Sequence, residues 1–380
     1  MKFEKIQIEP TTYCNLNCEY CHRKSVPEVD MQDDIFEKLA GAAEEYVIYG
    51  YGEPLLFPEV ERKIEELGGR IVISTNGMLE LDGNVIELAD RVGVSIDVDD
   101  SFRKGLKVES ALKNLEKLGD KGFADVVVTA GNLHSMPDFF EKIAQYGSGL
   151  IATNVIAPNP EIYKERVYFE GSRRNVELVM NIDEKILVEA IRDCSRGGGQ
   201  ALAVYRNILE QVYSEGYSIN LLGIFESKER IRKAMEAEKV FERMEDIAKD
   251  YGVDLISPEF FGDSKARECP YRDSVFVRAD GVVSSCMSFA YSRREYVNAH
   301  YKDVEAFVVG DLRVEDLDNI FENLGQFEKL REDMENFPWC ADCPYVRGCW
   351  FAERNLDCYT NQPSCSECLY SSGIAKCLLG

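Results

Sequence analysis

Histidine is scarce: only His22, His134 and His300 occur in 380 residues. A hydrolytic site built around a histidine base is hard to assemble from so few. Basic residues are outnumbered, 44 Lys and Arg against 68 Asp and Glu, for a net charge of −24. No stretch concentrates positive charge, so nucleic acid and anionic membrane are excluded as partners on electrostatic grounds. No apolar run approaches the ~18–20 residues of a membrane span. The opening MKFEKIQIEP lacks the apolar core of a secretory signal, and a cytoplasmic location is expected. The long middle of the chain is nearly free of cysteine, with Cys194 alone between Cys21 and Cys269. In a reducing compartment the 13 cysteines, clustered at both ends, point to metal or redox chemistry rather than disulfides.

At 45% hydrophobic and 11% aromatic the chain is globular and long enough for two or three domains. Composition divides it into residues 1–160, 161–264 and 265–380. In the first part, β-branched runs (3–8, 46–49, 70–74, 92–97, 125–129 and 150–156) alternate with helical patterns at 33–45, 58–67, 108–119 and 136–146. This is the signature of βα units on a parallel sheet. Six units fall short of the ~250-residue closed barrel, so an α/β fold with an open, partial (β/α)6 barrel is expected. Reactive groups in such folds sit at the carboxyl ends of the strands, where EPTTYC, GYGEP, STNG, DVDD, TAGN and APN stand here.

The second part reads as a helical bridging segment. Gly197–Gly199 marks a turn, 226–250 a solvated helix face, and Cys194 a small buried hydrophobe on a helix. The third part is a small, cysteine-rich α+β domain. Asp280-Gly281 between two β-branched runs signals a hairpin. From Cys340 onward seven cysteines accompany little hydrophobic periodicity, so this tail needs metal to hold a core.

Cys14-x3-Cys18-x2-Cys21 follows the first strand directly. Three thiolates on one loop can hold three irons of a [4Fe-4S] cluster and leave the fourth open to a ligand. A zinc site would need a fourth ligand, and the adjacent His22 is poorly placed for it. The triad, with Tyr20 before its last cysteine, resembles that of the radical S-adenosylmethionine (SAM) enzymes. Gly50-Tyr51-Gly52-Glu53-Pro54 resembles their GGEP segment, with Tyr51 in place of a glycine. The resemblance implies that SAM chelates the open iron and that Gly52, Glu53 and Pro54 border its ammonium. It also places Ser74 and Asn76 on the ribose side, Ser95 with Asp97 on the fourth strand, and Asn154 and Ile156 by the adenine.

Cys269-x11-Gly281-x4-Cys286, then Cys340-x2-Cys343-x5-Cys349, resembles the SPASM extension of radical SAM maturases, which houses two auxiliary [4Fe-4S] clusters. That resemblance implies that Cys269 and Cys286 begin one auxiliary cluster and that Cys340, Cys343 and Cys349 bind the other. Glu353 stands where the family's next cysteine falls. Cys358, Cys365, Cys368 and Cys377 share the remaining positions, giving nine thiolates for the eight that two fully ligated clusters need. The C-x2-C pairs at 340/343 and 365/368 would also suit zinc.

The implied activity is reductive cleavage of SAM to a 5'-deoxyadenosyl radical that abstracts hydrogen from a peptide or protein, fed by a reducing partner such as ferredoxin or flavodoxin. The tail from Cys365 to Cys377 resembles the subfamily of maturation or cofactor-modifying proteins of tungsten-containing aldehyde oxidoreductases, which implies such an enzyme or its cofactor as partner. Two alternatives stand beside this: a radical SAM enzyme modifying a small-molecule cofactor such as a pterin or porphyrin, and a non-enzymatic electron carrier or zinc scaffold.

Overall fold

The computed structural model describes residues 2–180 and 182–378. Six parallel strands run side by side in chain order: β1 (Phe3–Ile8), β2 (Ala43–Ile48), β3 (Arg70–Thr75), β4 (Arg91–Ser95), β5 (Gly122–Val128) and β6 (Gly149–Asn154). Their carboxyl-terminal halves are mostly buried, and β3 (RIVIST) reads as the near-continuous run of a buried parallel strand. Between them lie α1 (Asp33–Leu39), α2 (Val60–Leu67), α3 (Gly83–Leu88), α4 (Val108–Leu118) and α5 (Met136–Ala144). Their apolar stripes fall at helical spacing: α4 buries Ala111, Leu112, Leu115 and Leu118. The helix expected over 33–45 stops at Leu39. Gly41 turns at φ +71, and residues from Ala43 join the sheet, where the Ala43 amide donates to Tyr46 Oη at 3.0 Å.

The middle of the chain forms α6 (Pro160–Tyr163), β7 (Phe169–Ser172), α7 (Arg173–Met180), α8 (Glu184–Ser195), α9 (Gln200–Ser214), α10 (Leu221–Glu226), α11 (Lys228–Tyr251), β8 (Leu255–Ile256) and β9 (Phe261–Gly262). The charged stretch 226–250 is only half solvated. Helix α11 buries Ile231, Ala234, Ala237, Phe241, Met244 and Ala248 and packs on α5. Strand β8 then pairs parallel to β6, Leu150 opposite Leu255, so α11 leads the chain back to the sheet beside the sixth strand. Gly197 and Gly198, at φ +83 and +155, make the turn between α8 and α9 as expected. Cys194 is not buried: it sits exposed in the last turn of α8, next to that glycine turn and beyond the part of α8 that buries Ala190.

The cysteine-rich part contains β10 (Ser274–Val277), β11 (Val282–Ser284), β12 (Arg293–Val297), β13 (His300–Val304), β14 (Val308–Asp311), α12 (Leu317–Asn323), α13 (Gly325–Glu332) and α14 (Trp350–Glu353). The hairpin at Asp280-Gly281 forms, with Gly281 at φ +84. Its first strand pairs parallel to β1, from Lys5 opposite Ser274 to Ile8 opposite Val277. One ten-stranded sheet therefore runs β14-β11-β10-β1-β2-β3-β4-β5-β6-β8. Strands β12 and β13 make a separate hairpin with Glu295 opposite Lys302. Among the described residues no helix is long and apolar enough to cross a membrane.

Where β1 ends, Glu9 is fully buried and joins three segments. It accepts from the Tyr51 amide at 2.7 Å, from Tyr291 Oη, and from the Ala279 amide at 3.5 Å. Burial, offset in part by these donors, pushes its carboxyl up to about 7. An acid whose folded pKa is raised binds its proton more tightly folded than unfolded. Its stabilising contribution is whole below pH ~4.5 and is lost as pH rises through 7. Asp125, pushed by burial to about 7, adds a slope of the same sign. Between pH 5 and 8 the wild type should lose about 1–3 kcal/mol relative to Glu9→Gln. Urea unfolding of both proteins across that range checks this, and parallel curves would remove Glu9 as the cause.

Candidate active site

The loop after β1 is fastened from both sides. Thr12 Oγ1 donates to Pro27 O at 2.7 Å and accepts from the Val29 amide at 2.7 Å. The Glu19 and Asn17 amides donate to Phe102 O at 2.7 Å and Lys104 O at 3.2 Å. Cys14, Cys18 and Cys21 project from this loop into a cavity of about 320 Å³. Backbone amides already point at the sulfurs: Leu16 donates to Cys14 Sγ and Arg23 to Cys21 Sγ, both at 3.4 Å. Asn76 Nδ2 reaches Cys14 Sγ at 3.7 Å and Asn15 Oδ1 at 2.6 Å.

Tyr20 and the fourth strand meet behind Cys18. Tyr20 Oη donates to Asp97 Oδ2 at 2.6 Å, and Arg103 pairs with the same oxygen at 3.1 Å. The Val127 amide fills Asp97 Oδ1 at 3.1 Å. Asp97 is thus fully engaged in fixing Tyr20 and Arg103, while Asp99 is exposed and accepts from the Ser101 amide. Ser74 Oγ lies 3.5 Å from Ser95 Oγ and donates to Asp125 at 2.9 Å.

Gly52 and Glu53 line the cavity; Pro54 is buried in a short turn behind it and does not. Glu53 is buried, and its oxygens accept from Thr75 Oγ1 at 2.7 Å, the Asn76 amide at 2.6 Å and the Leu55 amide at 3.1 Å. The carboxylate ties the loop after β2 to the loop after β3. A Cβ on Gly52 would stand 2.1 Å from Thr11 O, a backbone atom that cannot swing aside. Gly52→Ala must therefore displace the loop, and SAM affinity measured by calorimetry should fall at least about tenfold, ~1.4 kcal/mol; unchanged affinity would mean that this loop does not shape the SAM pocket.

Ile156 lines the cavity from the end of β6. Asn154 also lines it, with Nδ2 donating to Glu259 O and Ile374 O at 3.0 Å each and Oδ1 left without a partner.

The opposite wall is built from the cysteine-rich part: Cys269, Cys286, Cys365 and Cys368 face the same cavity. Electrostatically, Cys365 feels Cys368, Cys269 and Cys286, whereas Cys343 feels Cys358 and Cys349 and acts in turn on Cys340, which makes a separate group. Cys377 packs with the first group. Burial pushes the thiols of Cys18 and Cys286 up to about 11 and those of Cys269 and Cys340 to about 12. Grouped thiols in so poor a solvent fit a bound metal group that would hold them as thiolates. Among the described residues no three His, Cys, Asp or Glu side chains converge on a single-ion position. Cys269, Cys286, Cys365 and Cys368 border open space in the cavity, where they could hold an iron-sulfur cluster.

Several groups on this cavity carry no signal in the sequence. Arg103 has no telling spacing, and Arg293, Glu295 and Lys302 come from the β12–β13 hairpin. Arg293 pairs with Glu295 at 2.9 Å and Lys302 with Glu367 at 3.6 Å. His22 Nε2 and Arg293 Nε are buried there without partners.

Residues 8–135 match the radical SAM superfamily, and residues 269–344 match an iron-sulfur cluster-binding domain, SPASM. The tungsten-containing aldehyde ferredoxin oxidoreductase cofactor-modifying protein of Pyrococcus furiosus is 27% identical over 408 residues, covering 98% of this chain and 96% of its own. The mycofactocin maturase MftC of Mycolicibacterium smegmatis is 30% identical over 169 residues, 39% of this chain and 43% of its own. The crystal structure of Streptococcus suis SuiB bound to S-adenosylmethionine aligns with 92% of this chain and 73% of that chain at 12% identity and a TM-score of 0.47. With a triad-bearing barrel and a cysteine-rich extension facing one cavity, this chain belongs to the radical SAM enzymes that carry a SPASM domain, which implies a SAM-binding [4Fe-4S] cluster and auxiliary clusters.

Proposed function

We propose that this enzyme abstracts hydrogen from a peptide or protein substrate during maturation of a tungsten-containing aldehyde ferredoxin oxidoreductase. The observation that carries the reading is the single cavity shared by Cys14, Cys18 and Cys21 with Cys269, Cys286, Cys365 and Cys368. Its context is similarity along nearly the whole chain to a cofactor-modifying protein of that oxidoreductase. Cys14, Cys18 and Cys21 would hold a [4Fe-4S] cluster with one iron open, and that cluster would supply the electron for reductive cleavage of SAM to the 5'-deoxyadenosyl radical. The chain's own residues do the rest. Gly52, Asn76, Ser95, Asn154 and Ile156 shape the SAM side, and the Asp97–Arg103 pair closes the cavity behind Cys18.

We assign Cys269, Cys286, Cys365 and Cys368 to one auxiliary cluster and Cys340, Cys343, Cys349 and Cys358 to the other, leaving Cys377 beside the first. Ferredoxin or flavodoxin is the reductant of this scheme. A second reading, modification of the oxidoreductase's small-molecule cofactor, is supported by the charged face of the β12–β13 hairpin, which offers donors and acceptors to a compact polar ligand.

The test is anaerobic incubation with SAM, dithionite and deuterated substrate. Deuterium in 5'-deoxyadenosine from a labelled oxidoreductase supports the first reading, and from labelled cofactor alone the second. No 5'-deoxyadenosine with either would overturn both.

A further inference from the structure

Six lysines and arginines are buried among the described residues: Lys63, Arg103, Arg166, Arg267, Lys302 and Arg331. Five have a carboxylate in contact: Asp33 at 3.0 Å, Asp97 at 3.1 Å, Glu170 at 3.4 Å, Glu367 at 3.6 Å, and Glu328. Arg267 has none. Its guanidinium lies over the ring of Trp339, 5.5 Å from the centroid, and donates only to carbonyls: Cys365 O at 3.4 Å, Met334 O at 2.5 Å and Phe337 O. The carboxylate of Asp342, whose charge reaches Arg267, is turned away and accepts from the Ser172 amide at 2.8 Å and from its hydroxyl.

A buried cation without a counter-charge is heavily penalised. Thiols lie within electrostatic reach of Arg267 instead. Its charge acts on Cys365 and Cys368, which face the cavity, and on Cys340 of the other group. Carbonyl contacts fix the guanidinium, and its burial beside the Trp339 ring keeps water from screening it.

We propose that Arg267 is the built-in counter-charge of the auxiliary iron-sulfur clusters and raises their reduction potential. The inference rests on the presence of those clusters. Thiolate-ligated clusters are anionic, and the reduced form carries one more negative charge, so a fixed cation nearby favours reduction. Around the triad the corresponding cations are already paired, Arg103 with Asp97 at 3.1 Å and Arg23 with Glu28 at 3.7 Å. The asymmetry leaves the triad as the more strongly reducing centre and makes the auxiliary centres easier to keep reduced. Arg267 is a positioning residue in this scheme, since it does not line the cavity.

The experiment is a potentiometric titration of the reconstituted enzyme followed by electron paramagnetic resonance, for wild type, Arg267→Met and Arg267→Lys. Iron per chain is measured first: a wild type lacking auxiliary iron would sink the cluster reading itself, separately from the role of Arg267. At the wild-type auxiliary midpoint, Arg267→Met should lower the reduced-to-oxidised ratio at least about tenfold, equivalent to ~59 mV for one electron. Arg267→Lys, which keeps the charge, should stay within about threefold by the same relation. If Arg267→Met loses auxiliary iron while Arg267→Lys keeps both iron and potential, charge is again the cause. An unmoved midpoint in Arg267→Met overturns the proposal. So does equal damage in both variants, which would make Arg267 a carbonyl clamp.

Discussion

Replacing Cys14, Cys18 and Cys21 together by alanine should lower iron from about 12 to about 8 per chain and abolish reductive cleavage of SAM. The auxiliary centres should survive, because none of their sulfurs comes from the triad loop; Cys269, Cys286, Cys365 and Cys368 line the opposite wall of the cavity. The loop itself has reason to persist. Its Thr12, Asn17 and Glu19 contacts involve no cysteine side chain, and Glu53 holds the neighbouring loops through Thr75 and Asn76. The expected loss of 5'-deoxyadenosine is at least about a thousandfold, ~4 kcal/mol or more in barrier, since the electron has no other open iron to which SAM can be chelated. Anaerobic iron and sulfide analysis with chromatography of the SAM products measures both quantities. Cleavage that persisted at a tenth of the wild-type rate would move the reaction to another centre.

Asp97→Ala should cost about 3–5 kcal/mol of stability, because it strands Arg103 in the protein interior. Both side chains are under one-tenth exposed, and Asp97 also holds Tyr20 and the Val127 amide. Removing the pair should be milder than removing half of it. Asp97→Ala with Arg103→Met should recover a large part of the loss, and the cycle of four proteins isolates the coupling. Urea unfolding under anaerobic conditions gives the numbers, with iron content as a second reading because Arg103 borders Cys18. Equal stability of Asp97→Ala and wild type would show that water reaches the pair and screens it.

Local pattern carried much of the architecture. The run Phe3–Ile8 is a strand with the expected bounds, and Asp280-Gly281 turns a hairpin, because both signals lie within a few residues of one another. The placement of Cys14, Cys18 and Cys21 on one loop was equally legible, since their spacing is carried by the chain itself. Contacts between distant segments leave no such mark. Glu9 binding Tyr51, Tyr291 and Ala279, Asp342 held by Ser172, and Arg267 among carbonyls of Met334, Phe337 and Cys365 each depend on separations that no period encodes. The helix placed over 33–45 overran for a related reason: Ala43, Glu44 and Glu45 suit a helix locally, and pairing with β1 and β3 overrides that preference.

The parallel pairing of β1 with β10 makes the earliest and one of the latest parts of the chain immediate neighbours. During synthesis β1 can pair with β2 within seconds, but Ser274 leaves the ribosome only tens of seconds later. Until then the far side of β1 is an open row of amides and carbonyls, an edge that other strands can join. A nascent or truncated chain that stops before β10 should therefore be prone to self-association, and supply of iron to the cysteine-rich part bears on how long that edge stays open.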